Sequence, residues 1–202
     1  MAFTFKNLEF ETHPEVYEPA EDTFLLVDAL NIKPGDSVFE IGTGSGLIGL
    51  YCASLGADLI CSDINPIAVE LVKKNFLMNK EKILGSFEVR LGDLFSVLNI
   101  GDEFDIVVFN PPYLPTSKEE KVGGWFDKAV DGGADGLDVT SRFIEGLSKY
   151  LKKDGKGYFV FSSLSNQEKL ENILNKNGFN FEIIKRNKFD DEELGIYCIN
   201  KK

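Results

Sequence analysis

The sequence predicts an α/β fold in which a mostly parallel sheet is flanked by helices, and three observations carry that expectation. Apolar runs of strand length alternate along the chain with segments of helical period, as in strands joined by crossover helices. A glycine-rich turn, Gly42-Thr43-Gly44-Ser45-Gly46, separates the first strong apolar run from an apolar helical segment. Polar residues then follow three later apolar runs, at Asp63, Asp93 and Asn110. In an open α/β sheet these positions fall at the carboxyl edge, where ligands bind.

Strands are predicted over Ser37–Ile41, Asp58–Ser62, Ser86–Leu91, Asp105–Phe109, Gly157–Phe161, Phe179–Arg186 and Glu193–Asn200. The first is followed by the apolar helix Leu47–Leu55. After the second, Asn65-Pro66 reads as a helix cap followed by proline at the first helical position, with Ala68, Val69, Val72 and Phe76 on one face. After the fourth strand, Leu114–Gly136 is a long irregular segment holding Gly123, Gly124, Gly132, Gly133 and Gly136. A connection of that length predicts a binding loop or lid. A further helix begins near Asp138, where Val139, Phe143, Leu147 and Leu151 recur about once per turn. The short polar link Asn187–Glu192 makes the last two strands antiparallel neighbours.

The length of 202 residues, 43% of them hydrophobic, suffices for one domain over residues 1–202 with a full core, which excludes a disordered or fibrous protein. Met1–Glu11 has no apolar run behind a basic end, and no stretch approaches the roughly 18 apolar residues of a membrane span. A soluble, cytoplasmic protein is expected. Cys52, Cys61 and Cys198 lie in apolar runs without C-x-x-C spacing, so buried thiols are predicted and no metal site. The net charge of −11 disfavours nucleic acid and suits a basic protein partner better.

Glycines in a turn between strand and helix let the backbone approach a ligand closely. Asp63 ends the second strand 19 residues after Gly44, where such folds use a carboxylate to accept ribose hydroxyls. Asp93, in Leu91-Gly92-Asp93-Leu94, is placed to accept from an adenine amino group. The phosphate-binding pattern G-x-x-x-x-G-K-[ST] is missing, and the glycines at 42, 44 and 46 do not follow the dinucleotide spacing. Glu40 beside the loop repels a pyrophosphate and tolerates a cationic methionine moiety. The predicted ligand is S-adenosylmethionine.

Asn110-Pro111-Pro112-Tyr113 follows the apolar strand Asp105–Phe109. A proline pair ends a buried strand readily, but that leaves Asn110 without partners for its amide. An amide or aromatic amine nitrogen is a poor nucleophile because its lone pair is delocalised. The Asn110 side-chain oxygen and the Pro111 carbonyl are suited to accept the two hydrogens of an NH2 group, and the Tyr113 ring to pack on the planar acceptor. Proline at 112 stiffens the turn. The sole histidine, His13, is read as a surface residue.

With these residues in hand, the chain resembles the HemK-type glutamine N5-methyltransferases, which modify the Gly-Gly-Gln motif of translation termination factors. The resemblance spans nearly the whole chain. It rests on Val16-Tyr17-Glu18-Pro19-Ala20-Glu21-Asp22-Thr23, the glycine loop, Asp63-Ile64-Asn65-Pro66, Asn110 to Tyr113, and Asp131-Gly132-Gly133-Ala134-Asp135-Gly136. The Tyr17–Thr23 segment is similar to the short archaeal and eukaryotic branch, which lacks the N-terminal helical domain of bacterial relatives.

The resemblance implies a class I, Rossmann-like methyltransferase with a seven-stranded sheet and an antiparallel C-terminal strand pair. It places Thr23, Glu40, Gly42, Asp63, Asp93 and Asn110 along S-adenosyl-L-methionine, with Gly44 and Gly46 of the loop and Leu94 beside Asp93, and Asn110 to Tyr113 on the acceptor amide. It also implies a release factor as substrate and a small zinc-binding activator protein beside the third sheet strand, Ser86–Leu91. Adenine N6-methylation of DNA or RNA, lysine methylation, and a non-catalytic scaffold are the alternatives.

Overall fold

A computed structural model of the chain describes residues 2–116 and 123–202. All seven predicted strands are present: β3 (Ser37–Ile41), β4 (Asp58–Asp63), β5 (Phe87–Leu91), β6 (Phe104–Phe109), β7 (Leu151–Ser162), β8 (Phe179–Lys188) and β9 (Glu193–Lys201). They form one sheet in the order β5-β4-β3-β6-β7-β9-β8. The first five are parallel to one another, and β9 runs antiparallel to both β7 and β8.

The central strands are buried on both faces, as the near-continuous apolar runs of β3 and β6 require. Val38, Ile106, Val108 and Val160 point to one apolar layer, shared with helix α2 (Leu47–Ser54). Phe39, Val107, Phe109 and Phe159 point to the other, under helices α5 (Asp138–Leu147) and α6 (Gln167–Lys176). Helix α3 (Pro66–Asn79) starts as predicted, with Asn65 accepting the Ile67 amide at 2.9 Å. Sheet order reverses at β3, whose neighbours are β4 and β6. The loops leaving β3 and β6 therefore flank the crevice that such a reversal opens.

Four features depart from expectation. Leu151 does not continue α5; the helix stops at Leu147 and Leu151 opens β7, its side chain buried opposite Phe104. The segment Leu114–Gly136 contains a short helix, α4 (Trp125–Val130), and Leu114 bridges to Asp131; residues 117–122 of that expectation lie outside the described residues. Tyr17–Thr23 leads into a helix, α1 (Glu21–Val27). Two strands, β1 (Ala2–Phe5) and β2 (Leu8–Glu11), form a separate hairpin. Its turn carries Lys6 at a φ of 55° where a glycine or asparagine would have announced it.

That hairpin is fastened by side chains standing in for a strand. Asn75 and Asn79, one turn apart on α3 and fully buried, face the free edge of β2. The Asn79 amide accepts the Glu9 N–H at 2.9 Å and donates to the Glu9 carbonyl at 2.6 Å. Asn75 treats Glu11 likewise, at 2.9 and 3.1 Å, and also donates to the Ser45 carbonyl of the glycine loop at 2.8 Å. Asn79→Ala leaves two backbone groups without partners and is expected to cost about 2–4 kcal/mol, read by urea denaturation. A loss below about 0.5 kcal/mol would show that water replaces the amide.

Candidate active site

The loops after β3, β4, β5 and β6 enclose a cavity of about 360 Å³ at the carboxyl edge of the sheet, large enough for a nucleoside-sized ligand. Gly42 and Gly44 line it with φ of 65° and 55°, a left-handed conformation that glycine adopts without strain. Gly42 has a second constraint, because a β-carbon there would stand 3.3 Å from the Phe109 ring. The loop after β3 thus lies directly against the end of β6.

Gly46 does not line the cavity. It caps α2 at a φ of 83°, and a β-carbon would meet Val72 at 3.1 Å, so it serves helix packing. Glu40 also lies outside the lining, 1% exposed beneath the loop, where it accepts the Thr43 hydroxyl at 2.5 Å. Burial pushes its carboxyl up to about 8, so at neutral pH it is mostly protonated. Behind the loop and mostly neutral, Glu40 does not repel a pyrophosphate as its place in the sequence suggests. Sequence order cannot distinguish a residue on the cavity wall from one directly behind it.

The raised value makes a testable statement about stability. A group whose folded pKa, about 8, lies above its ordinary 4.5 binds more protons folded than unfolded between those limits. Its contribution is intact below about 4.5 and is lost as pH rises through 8. Glu40→Gln, neutral at every pH, is expected to gain on the wild type progressively across that window in urea denaturation. A stability difference independent of pH would contradict it.

Asp63 and Asp93 both reach the cavity wall. The Asp63 carboxylate accepts the Gly44 amide at 2.9 Å and the Asn65 amide at 2.8 Å, which fixes its plane and leaves acceptor positions for hydroxyls. Burial raises its pKa. Asp93 caps the short 3-10 turn Leu94–Val97 and pairs with Arg142, so part of its acceptor capacity is already used. Leu94 beside it lines the cavity at a φ of 47°. Val139, Arg142 and Ile64 complete that side.

On the acceptor side, Asn110 to Leu114 lines the cavity opposite the glycine loop. The Asn110 amide nitrogen donates to the Asp22 carboxylate at 2.9 Å and to the Thr23 hydroxyl at 3.4 Å. Its side-chain oxygen is buried and has no partner among the described residues. A desolvated acceptor of this kind costs about 1–3 kcal/mol until a donor meets it. The Tyr17 and Tyr113 hydroxyls both donate to Asp22, at 3.2 and 3.3 Å. Burial, and then Asp22, hold both phenols far above their ordinary range, so they remain donors.

The glycine hexapeptide Asp131–Gly136 is the buttress of this loop. A β-carbon on Gly132 would stand 2.9 Å from the Pro112 carbonyl oxygen, and Gly132 donates to the Leu114 carbonyl at 2.9 Å. Gly136 lies against the Tyr113 carbonyl, which also accepts the Ser165 hydroxyl at 2.8 Å. Asp22, 3% exposed in the first turn of α1, was not singled out by sequence reasoning. The available signal was an acid inside the otherwise recognisable segment Tyr17–Thr23.

The methyltransferase small domain family matches residues 7–126. A putative protein N5-glutamine methyltransferase of Methanocaldococcus jannaschii is 44% identical over 197 residues, covering 97% of both chains. The catalytic subunit of the eRF1 methyltransferase of Schizosaccharomyces pombe is 32% identical over 96% of this chain and 92% of its own. Among solved structures, the E. cuniculi Mtq2-Trm112 complex, described as methylating the eRF1 termination factor, superposes with a TM-score of 0.73 at 25% identity, over 93% of this chain and 99% of that one. Glycine loop, strand-end acids, Asn110 loop and these relatives agree, and the chain belongs to the methyltransferase small domain family, in its short HemK-type branch of protein N5-glutamine methyltransferases.

Proposed function

We propose that this chain methylates the side-chain amide nitrogen of the glutamine in the Gly-Gly-Gln motif of a translation termination factor, acting in the cytoplasm. The single observation that carries the reading is the buried Asn110 oxygen, an acceptor without a partner among the described residues that a substrate NH2 group would satisfy. S-adenosylmethionine, when bound, supplies an electrophilic methyl group on a sulfonium. The cavity volume and the left-handed backbone of Gly42 and Gly44 fit such a ligand. Asp63 would hold its ribose hydroxyls, Asp93 and Leu94 its base, and Thr23 the end nearest the acceptor.

The chain's own contribution is orientation. Asn110 and the Pro111 carbonyl accept the two N–H groups of the glutamine amide, which aims the nitrogen lone pair at the methyl carbon. The Tyr113 ring bounds the planar acceptor. Trp125 and Lys128 of α4 line the cavity and would limit water's access to the bound acceptor.

The edge strand β5 is the place for a partner. Leu91 is 57% exposed at its end, and Leu77 and Leu84 nearby are 68% and 76% exposed. A small zinc-binding activator adding a strand there would cover the open sheet edge. Incubation of the chain and a candidate activator with S-adenosylmethionine and a Gly-Gly-Gln release factor, followed by peptide mapping, is expected to find one methyl on the glutamine. Methylation only of lysine, or only of adenine in a nucleic-acid control, would overturn the reading.

A further inference from the structure

Asp22 gathers more hydrogen bonds than any ordinary structural carboxylate needs. Its Oδ1 accepts the Thr23 amide at 2.6 Å and the Thr23 hydroxyl at 3.1 Å. Its Oδ2 accepts the Asn110 amide nitrogen at 2.9 Å and the hydroxyls of Tyr17 and Tyr113 at 3.2 and 3.3 Å. The Thr23 amide on Oδ1 and the Asn110 NH2 on Oδ2 can only donate, so each carboxylate oxygen meets an obligate donor.

We propose that Asp22 is a positioning residue that fixes which way the Asn110 amide faces, and thereby makes the site select a side-chain amide over a carboxylate. The proposal rests on the glutamine reading above. A free asparagine amide turns over at little cost, and its two ends have opposite hydrogen-bonding sense. Asp22 removes that freedom, because the Asn110 NH2 faces a group that only accepts. The Asn110 oxygen is then the end left buried without a partner among the described residues, and on the glutamine reading it is the end offered to the acceptor. A glutamine offers it a hydrogen; a glutamate offers a second acceptor, which leaves two desolvated oxygens opposed. The two tyrosine hydroxyls on the same Oδ2 add to the contacts that hold the carboxylate in place.

Asp22→Asn tests this, because an asparagine at 22 must direct its NH2 either at Thr23 or at the Asn110 and tyrosine group. In the second case Asn110 turns over and presents a donor to the substrate. Turnover is expected to fall about 10²-fold, while S-adenosylmethionine affinity stays within about threefold. Trp125, the sole tryptophan and part of the cavity lining, reports that affinity by fluorescence.

The decisive readout is selectivity. The wild type is expected to bind a glutamine peptide at least about tenfold more tightly than its glutamate counterpart, and in Asp22→Asn that preference collapses toward unity. A variant that loses turnover with its preference intact would show a merely structural role and overturn the proposal. The swapped pair D22N/N110D carries the test alone if the single variant is insoluble. It restores a donor at 22 and a symmetric acceptor at 110, so it should exceed Asn110→Ala in turnover by at least about tenfold, and equality between them would overturn the proposal. A wild type that methylates no glutamine at all would instead defeat the underlying function, with selectivity never reached.

Discussion

Asn110→Ala is expected to lower methyl transfer by about 10²- to 10³-fold while S-adenosylmethionine binds within a few fold of the wild type. The asymmetry follows from where the side chain points. Its nitrogen is held by Asp22 and Thr23, and its oxygen has no partner among the described residues, so on the reading proposed above the group missing from the variant is the one offered to the acceptor. Loss of an interaction made at the reacting nitrogen lowers kcat, whereas on that same reading the glycine loop and Asp63 still hold the donor. Single-turnover methylation combined with Trp125 fluorescence separates the two quantities. A parallel loss of both would mean that Asn110 acts through the cofactor pocket.

The second large effect is expected at Gly136, outside the acceptor tetrapeptide. Alanine there is strained by a φ of 73°, and its β-carbon would enter the space of the Tyr113 carbonyl and the Ser165 hydroxyl that bonds it. The Asn110–Tyr113 loop must move, and displacement of a positioning group by about 1 Å costs on the order of 10²-fold in rate. A stability loss of about 2–3 kcal/mol is expected beside it. Gly178→Ala is the matched control, because Gly178 has a similar φ of 77° with nothing within 4 Å of the added carbon. It should lose about 1 kcal/mol through strain and keep its full rate. Equal rate losses in the two variants would refute the buttress.

The sheet was legible because its strands are apolar runs bounded by turns, and that signal is local. Leu151 misled because it keeps helical spacing with Leu147 although the chain has already turned toward Phe104, a contact nearly fifty residues away in sequence. The hairpin escaped because Lys6 occupies a backbone conformation that its residue type does not advertise. Within the site, glycines and strand-end polar residues could be placed at the sheet edge from order alone. Depth could not: Glu40 sits behind the loop rather than on it, and Gly46 faces Val72. Asp22 was hidden for the complementary reason, since its meaning lies in Asn110 and Tyr113, 88 and 91 residues further on.

The asparagine pair on α3 has a consequence for how the molecule opens in solution. The Glu9 and Glu11 amides belong to a marginal strand, yet each is closed by a buried asparagine side chain of α3. Their exchange with deuterated solvent must wait for α3 to withdraw, and through Asn75 the same withdrawal releases Ser45 of the glycine loop. Two slow amides near the start of the chain thus keep time for the glycine loop, and a ligand that steadies the loop should slow them without touching the hairpin.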